Sequence, residues 1–273
     1  MRTSELIIPE SSRDYSDSST RRRVCVEALI MPRATTAASI RKRLRELGDP
    51  TDAVFLQRFF KTGPGQYGEG DRFLGIRVPE IRRLARELRG LPLDQIHALL
   101  LDPCHEARLL SVVLLGEQYK RGSPDKRDAI FRLYMDNAAR VNNWDLVDLS
   151  APNIVGAHLA TRSRKRLERL ARSRSLWERR IAIVATQHFI RNGEFDDTLR
   201  IARMLMHDPH DLIHKAVGWM LREVGKRDRR TLEAFLDEHA HEMPRTMLRY
   251  AIERLLPRDK SRFMAARAGR ATH

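Results

Sequence analysis

Pairs of short helices recur along this 273-residue chain at a mid-thirties spacing, and that repeat limits the fold more than any other feature. LLLDPCHEARLLSVVLLGEQ from Leu99 follows the same plan as LARSRSLWERRIAIVATQHF from Leu170. MLMHDPHDLIHKAVGWMLRE from Met204 and FLDEHAHEMPRTMLRYAIER from Phe235 repeat it. Each has the end of one helix, a short polar turn, then an amphipathic helix with a basic residue near its start. Those residues are Arg108, Arg180, Lys215 and Arg249; the last three lie 35 and 34 apart, and the first two are separated by 72, or two periods. Lys126–Asn137 followed by Asn143–Ser150 supplies the intervening pair. No stretch alternates like a strand, whereas apolar residues recur at helical spacing from Ser39 almost to the end. The expected fold is all-α: an α-solenoid of HEAT-like, armadillo-type repeats.

In such an array the second helices line the concave face, so a cation at the same place in each makes a basic groove suited to a polyanion. The charge balance agrees. Lys plus Arg number 51 against 36 Asp plus Glu, a formal charge of +15. Residues 1–35 hold six Arg and five acids, which leaves +14 on the body. Such a charge favours nucleic acid or an anionic surface as partner without deciding between them. The competing explanation is that the four cations are solvated helix-face charges. Residues 1–38 are rich in Ser, Thr and Arg without a sustained period and are read as a disordered extension, with Met31 an alternative start. Residues 39–273 are read as one HEAT-like domain.

Two cysteines, Cys25 and Cys104, exclude a disulfide framework and a cysteine-based zinc site, and point to a reducing cytoplasm. No apolar run approaches the roughly 20 residues that span a bilayer. Val24–Met31 is too short and too far from the start for a signal peptide. A soluble, cytoplasmic protein is expected, with neither membrane partner nor cofactor.

Two tempting patterns carry little. Gly63-Pro64-Gly65-Gln66-Tyr67-Gly68-Glu69-Gly70 contains a GxGxxG string, but a dinucleotide site needs a strand before it and a helix opening after it. The segment before it has helical period and Pro64 interrupts it, so a flexible loop with N–H groups free for a phosphate is expected. His207, His210 and His214 stand beside Asp208 and Asp211, but Pro209 separates the first two, and only His210 and His214 have the spacing of a helical two-His site. No metal site is expected.

Val141-Asn142-Asn143-Trp144-Asp145-Leu146-Val147-Asp148 is the informative segment. It opens the second helix of the central repeat, where Asn143 can cap. Trp144 and Asp148 share a face at i, i+4, and Asp145 is expected to point elsewhere. An aromatic beside a carboxylate in a cationic groove suggests chemistry. A buried Trp with either acid stabilising the helix N-terminus explains the same residues equally well. Trp219 shares a face with Lys215 four residues earlier and is placed at the border of the same groove. Trp177, three residues before Arg180, is compatible with simple packing.

Trp144-Asp145-Leu146-Val147-Asp148, Trp177-Glu178-Arg179-Arg180 and His214-Lys215-Ala216-Val217-Gly218-Trp219-Met220-Leu221-Arg222-Glu223 together give the chain a resemblance to the DNA alkylation repair enzymes, and within them to the AlkD-like DNA glycosylases. It runs from about Thr51 to Phe263. It implies a HEAT-repeat solenoid that holds duplex DNA on a basic concave face and releases positively charged N3- and N7-alkylated purines, such as 3-methyladenine and 7-methylguanine. Carried over residue by residue, it assigns catalytic roles to Asp148, Trp144 and Trp219, and DNA binding to Arg180. Arg108, Lys215 and Arg249 join the DNA-binding set through the repeat. It also implies that the lesion stays in the duplex. Where the family has an N-terminal active-site Tyr, this chain has Phe59 or Phe60, and the Gly63–Gly70 loop followed by Phe73-Leu74-Gly75 is longer than in the best-known glycosylases.

The activity expected is therefore that of a monofunctional alkylpurine DNA glycosylase, working as a monomer near the nucleoid. A HEAT-repeat binder of damaged or branched DNA without cleavage is the alternative, and a protein-binding scaffold is a third class.

Overall fold

The structure, a computed structural model, describes residues 35–268; the expectation for residues 1–34 lies outside them. All regular structure among the described residues is helical, and no helix is long and apolar enough to cross a membrane. The helical body begins slightly earlier than the periodicity suggested. Thr36 caps α1 (Ala37–Leu47) through a reciprocal bond with Ser39, and the Ala37 N–H donates to Gln95 Oε1 at 2.8 Å. Asp49 caps α2 (Pro50–Phe59), which opens on proline and buries none of its own residues. α3 (Val78–Glu87) does the opposite: Ile81, Leu84 and Ala85 are buried, leaving Arg82 and Arg86 on its outer face.

The expected pairs then follow in order: α4 (Leu93–Leu100) with α5 (His105–Arg121), and α6 (Pro124–Asp136) with α7 (Trp144–Ala151). α7 continues through a π turn (Pro152–Gly156) into α8 (Ala157–Leu159). α9 (Lys165–Ala171) pairs with α10 (Leu176–Ala185), which runs on into α11 (Gln187–Arg191). α12 (Asp196–Met204) pairs with α13 (Asp211–Gly225), and α14 (Arg229–His239) with α15 (Arg245–Ala251), before α16 (Pro257–Ala268) closes the described body. The second helices form one row: α5 packs on α7, α7 on α10, α10 on α13 and α13 on α15. This is the α-solenoid of helical repeats that the spacing predicted.

Close approach along the row depends on glycine. A Cβ on Gly156 would lie 2.3 Å from the Ala185 carbonyl oxygen, and one on Gly218 would lie 2.4 Å from that of Met247. Beneath the row runs a continuous core that includes Leu110, Leu114, Leu146, Ile181, Val217 and Met247, each fully buried or nearly so. Each side chain of that size contributes about 1.5–3 kcal/mol by leaving water.

Candidate active site

The N-terminal ends of α5, α7, α10 and α13 bring the singled-out residues into one neighbourhood. Asn143 is fully buried and caps α7, its Oδ1 accepting the Trp144 N–H at 2.8 Å. One turn on, Asp148 meets Arg180 of α10 in a two-pronged pair: Nε donates to Oδ1 and Nη2 to Oδ2, both at 2.9 Å. The third nitrogen, Nη1, donates to the Leu212 carbonyl at 2.5 Å, and Arg180 is only 4% exposed. Every guanidinium nitrogen thus has an acceptor. Arg180 was expected among the DNA-binding residues; the structure instead commits it to holding Asp148. Burial pushes the Asp148 carboxyl above the ordinary range, and the charge and hydrogen bonds of Arg180 only partly offset that rise.

Arg108 also departs from expectation. It is buried, with Nη2 donating to Asp71 Oδ1 at 2.6 Å and Nη1 to the carbonyls of Asp102 and Pro103 at 3.0 Å. It presents nothing to a groove and belongs to a buried polar hub. His105 Nε2 lies 2.8 Å from Asp145 Oδ2, and its Nδ1 lies 3.5 Å from Asp71 Oδ2. Burial opposes a charge on His105, but Asp145 and then Asp71 outweigh it and lift the imidazole to about 9. Burial likewise raises Asp71, yet His105 and Arg108 hold it below its usual value. The hub balances two cations against two carboxylates. Asp145 was expected on a different face from Asp148; His105 instead draws it back across the start of α7, where both acids line the same cavity.

That cavity, about 440 Å³, is walled by Phe55, Phe59, Phe60, Phe73 and Trp144, with Asp145 and Asp148 among its lining residues. Phe60 stacks on Trp144 with centroids 5.2 Å apart, Phe73 stacks on Phe60 at 5.0 Å, and Phe59 meets Trp144 edge-on at 6.0 Å. Phe55 and Phe59, from the helix that buries none of its own residues, are each 54% exposed at the edge. Electron-rich ring faces beside two carboxylates form an environment that favours a flat cation over a neutral or anionic group.

The long loop joins this site rather than cradling a phosphate. Gly63, Gly65 and Gly68 N–H groups are already taken by Gln66 Oε1, Glu69 Oε2 and the Lys61 carbonyl. Its far end is strapped down by Asp71 in the hub and by Glu106, whose carboxylate accepts the N–H groups of Leu74, Gly75 and Ile76. Gly75 has φ 84 and sits so close to Asp49 that a Cβ would fall 2.0 Å from its carbonyl oxygen. Ahead of these anchors stands Tyr67, half-buried, its ring edge-on to Trp177 at 6.1 Å. Burial raises its phenol, which also interacts with the Trp144 side chain and feels the charges of Asp145, Lys215 and Arg180. The loop thus places a hydroxyl beside Trp144, although Tyr67 is not among the residues that line the cavity.

A family model for the DNA alkylation repair enzyme matches residues 40–255. The chain belongs to the DNA alkylation repair enzyme family. A solved structure from Enterococcus faecalis, described as a predicted DNA alkylation repair enzyme, matches with a TM-score of 0.60 at 20% identity, over 77% of this chain and 97% of that one. That likeness is one of fold. Among curated proteins none matches the chain.

The remaining residues singled out in this alkylation repair family member are dispersed along the row. Trp219 is half-buried on α13 and donates Nε1–H to Glu223 Oε1 at 3.3 Å; no ring contact joins it to Trp144 among the described residues. Lys215, one turn earlier, pairs with Asp211 at 2.8 Å. Arg249 on α15 is exposed, with no ion pair among the described residues. His210 and His214 serve the start of α13: His210 Nδ1 accepts the Leu212 N–H, and His214 Nε2 bonds the Asp208 carbonyl. Sequence reasoning missed Tyr67, His105 and Asp71. The one available signal was an aromatic among glycines in a loop too long to be a simple connection.

Proposed function

We propose that this protein excises cationic N3- and N7-alkylated purines from duplex DNA by hydrolysing the N-glycosidic bond, as a monomer in the cytoplasm close to the nucleoid. The observation that carries this reading is Asp148: a carboxylate fixed by Arg180 on the wall of an aromatic cavity, beside Trp144.

The chemistry asks little of the protein as an acid. An alkylated purine already bears a positive charge, so it departs with the bonding electron pair as a neutral base and needs no proton. The sugar left behind has oxocarbenium character. Asp148 as carboxylate stabilises that charge and accepts a proton from the water that bonds to the anomeric carbon, as carboxylates do at other glycosidic centres. The indole of Trp144 adds a cation–π term of about 1 kcal/mol. Arg180 acts through Asp148, holding its two oxygens in one orientation. Family membership supports the repair role; the acid's setting supports the hydrolytic step. Trp219 is assigned to the sugar side of the site on the motif alone.

Incubation of the purified protein with methylated duplex DNA, followed by chromatography of released base, tests this. Free 7-methylguanine or 3-methyladenine with matching abasic sites is expected. Tight duplex binding without release would overturn the enzymatic reading in favour of a binder of damaged DNA.

A further inference from the structure

The cations that repeat spacing assigned to the groove are largely neutralised. Arg108 pairs with Asp71, Arg180 with Asp148 and Lys215 with Asp211. A cation that already holds a carboxylate displaces few counterions from DNA, so these three add little to a salt-dependent grip. Arg249 stays unpaired, but a denser cluster of unneutralised charge lies elsewhere. A second cavity, about 940 Å³, opens between the outer face of α3, the C-terminal half of α5, the start of α6 and the segment after α8. Arg82, Arg86, Arg89, Lys120 and Arg127 line it, all exposed and without an ion pair among the described residues. Arg121 and Arg162 also face it, held by Glu117 and Asp128, and Glu117 is the one carboxylate among its lining residues.

Building on the reading of duplex DNA as substrate, we propose that this cavity is a second backbone clamp, which grips the phosphates of the duplex flanking the lesion. Three observations fix the occupant. The positive charges are spread over four separate elements, which suits a polymer with a charge every ~1.7 Å better than a mononucleotide. No Phe or Trp lines it, Tyr119 is buried and His188 half-buried, so it lacks the exposed stacking platform that single strands use. The clamp also neighbours the candidate active site, because Leu149 lines both cavities. Along α7 and its π turn, Trp144 and Asn153 are nine residues apart. At about 1.5 Å per residue that is about 14 Å, or about four phosphate steps of one strand.

The test compares two variants of the full chain by anisotropy with a labelled, unmodified duplex across a salt series. R82Q/R86Q/K120Q removes three unpaired cations whose side chains point out of the core. R132Q/R169Q removes two exposed cations, likewise without an ion pair among the described residues, outside either cavity. Each lost phosphate contact lowers the log–log salt slope by about 0.9, so the triple variant should lose about 2–3 and the control far less. A triple variant with the parent's slope, or a control that loses as much per charge, would overturn the clamp. Base release from methylated duplex is followed separately on the same preparations. A parent that shows the slope difference but releases no base would sink the glycosylase reading while leaving the clamp standing.

Discussion

Arg180 holds Asp148 through two parallel 2.9 Å hydrogen bonds across 32 residues of sequence, in a place where the carboxylate is largely withdrawn from water. Isolated, such an acid would favour its neutral form; with Arg180 its two oxygens are fixed and its charge is compensated. Orientation matters as much as charge, because a preorganised carboxylate costs no rearrangement when the sugar becomes cationic.

Asp148→Asn keeps the shape and removes the charge. Single-turnover release of 7-methylguanine should fall by about 10²–10³, the usual loss for a preorganised electrostatic partner. Duplex affinity should hold. A variant that excises at the parent rate would make Asp148 structural. Asp145→Asn acts differently, since it strips His105 of its nearest counter-charge. Its main effect should be on stability, read as a lower midpoint in urea.

Arg180→Gln removes the guanidinium whose charge and hydrogen bonds pull Asp148 back toward the ordinary carboxylate range. Asp148 should then protonate at a higher pH, and the acid limb of the excision profile should move upward. Activity lost near neutrality should return in part as pH rises, whereas Arg180→Lys should fall between the two. An unchanged acid limb would show that Asp148 is not the titrating group.

Much of this fold was readable because helix pairs of fixed length impose both a period and a spacing, and the cations at 34 to 36 residues marked the starts of second helices. Trp144, Asp148 and Arg180 were legible for a related reason: they sit in short helical segments where i, i+4 spacing determines which side chains are neighbours. What the residues contact across the fold was not legible. Arg108 occupies the same repeat position as Arg180, yet one ends on Asp71 from a loop and the other on Asp148 from a helix. No local pattern encodes a partner 37 or 32 residues away. Tyr67 was hidden likewise, because its position depends on anchors at Asp71 and Glu106 that only the folded chain brings together.

His105 links stability to pH. Its folded value of about 9 lies above its ordinary 6.5, so protonation favours the folded state. That contribution is fully present below about 6.5 and is lost as pH rises through about 9, an effect of order 3 kcal/mol. Melting temperature should therefore decline between those limits. His105→Gln should be less stable at pH 6 and should flatten the decline. A parent whose stability does not change across this window would mean that His105 is neutral in the fold.

Tyr67→Phe examines the loop's contribution to the site. The phenol interacts with the Trp144 side chain, and its ring rests on Trp177, so deleting the oxygen leaves the packing and removes one polar contact. A net hydrogen bond of about 1 kcal/mol corresponds to roughly a fivefold change. Base release should fall by about that factor, with melting temperature and duplex affinity near the parent's. Tyr67→Ala also removes the ring that fixes the loop against Trp177 and should cost more. If the two variants release base equally fast, the ring contributes nothing beyond the hydroxyl. If both match the parent, the loop is a connection and Tyr67 has no place in the chemistry.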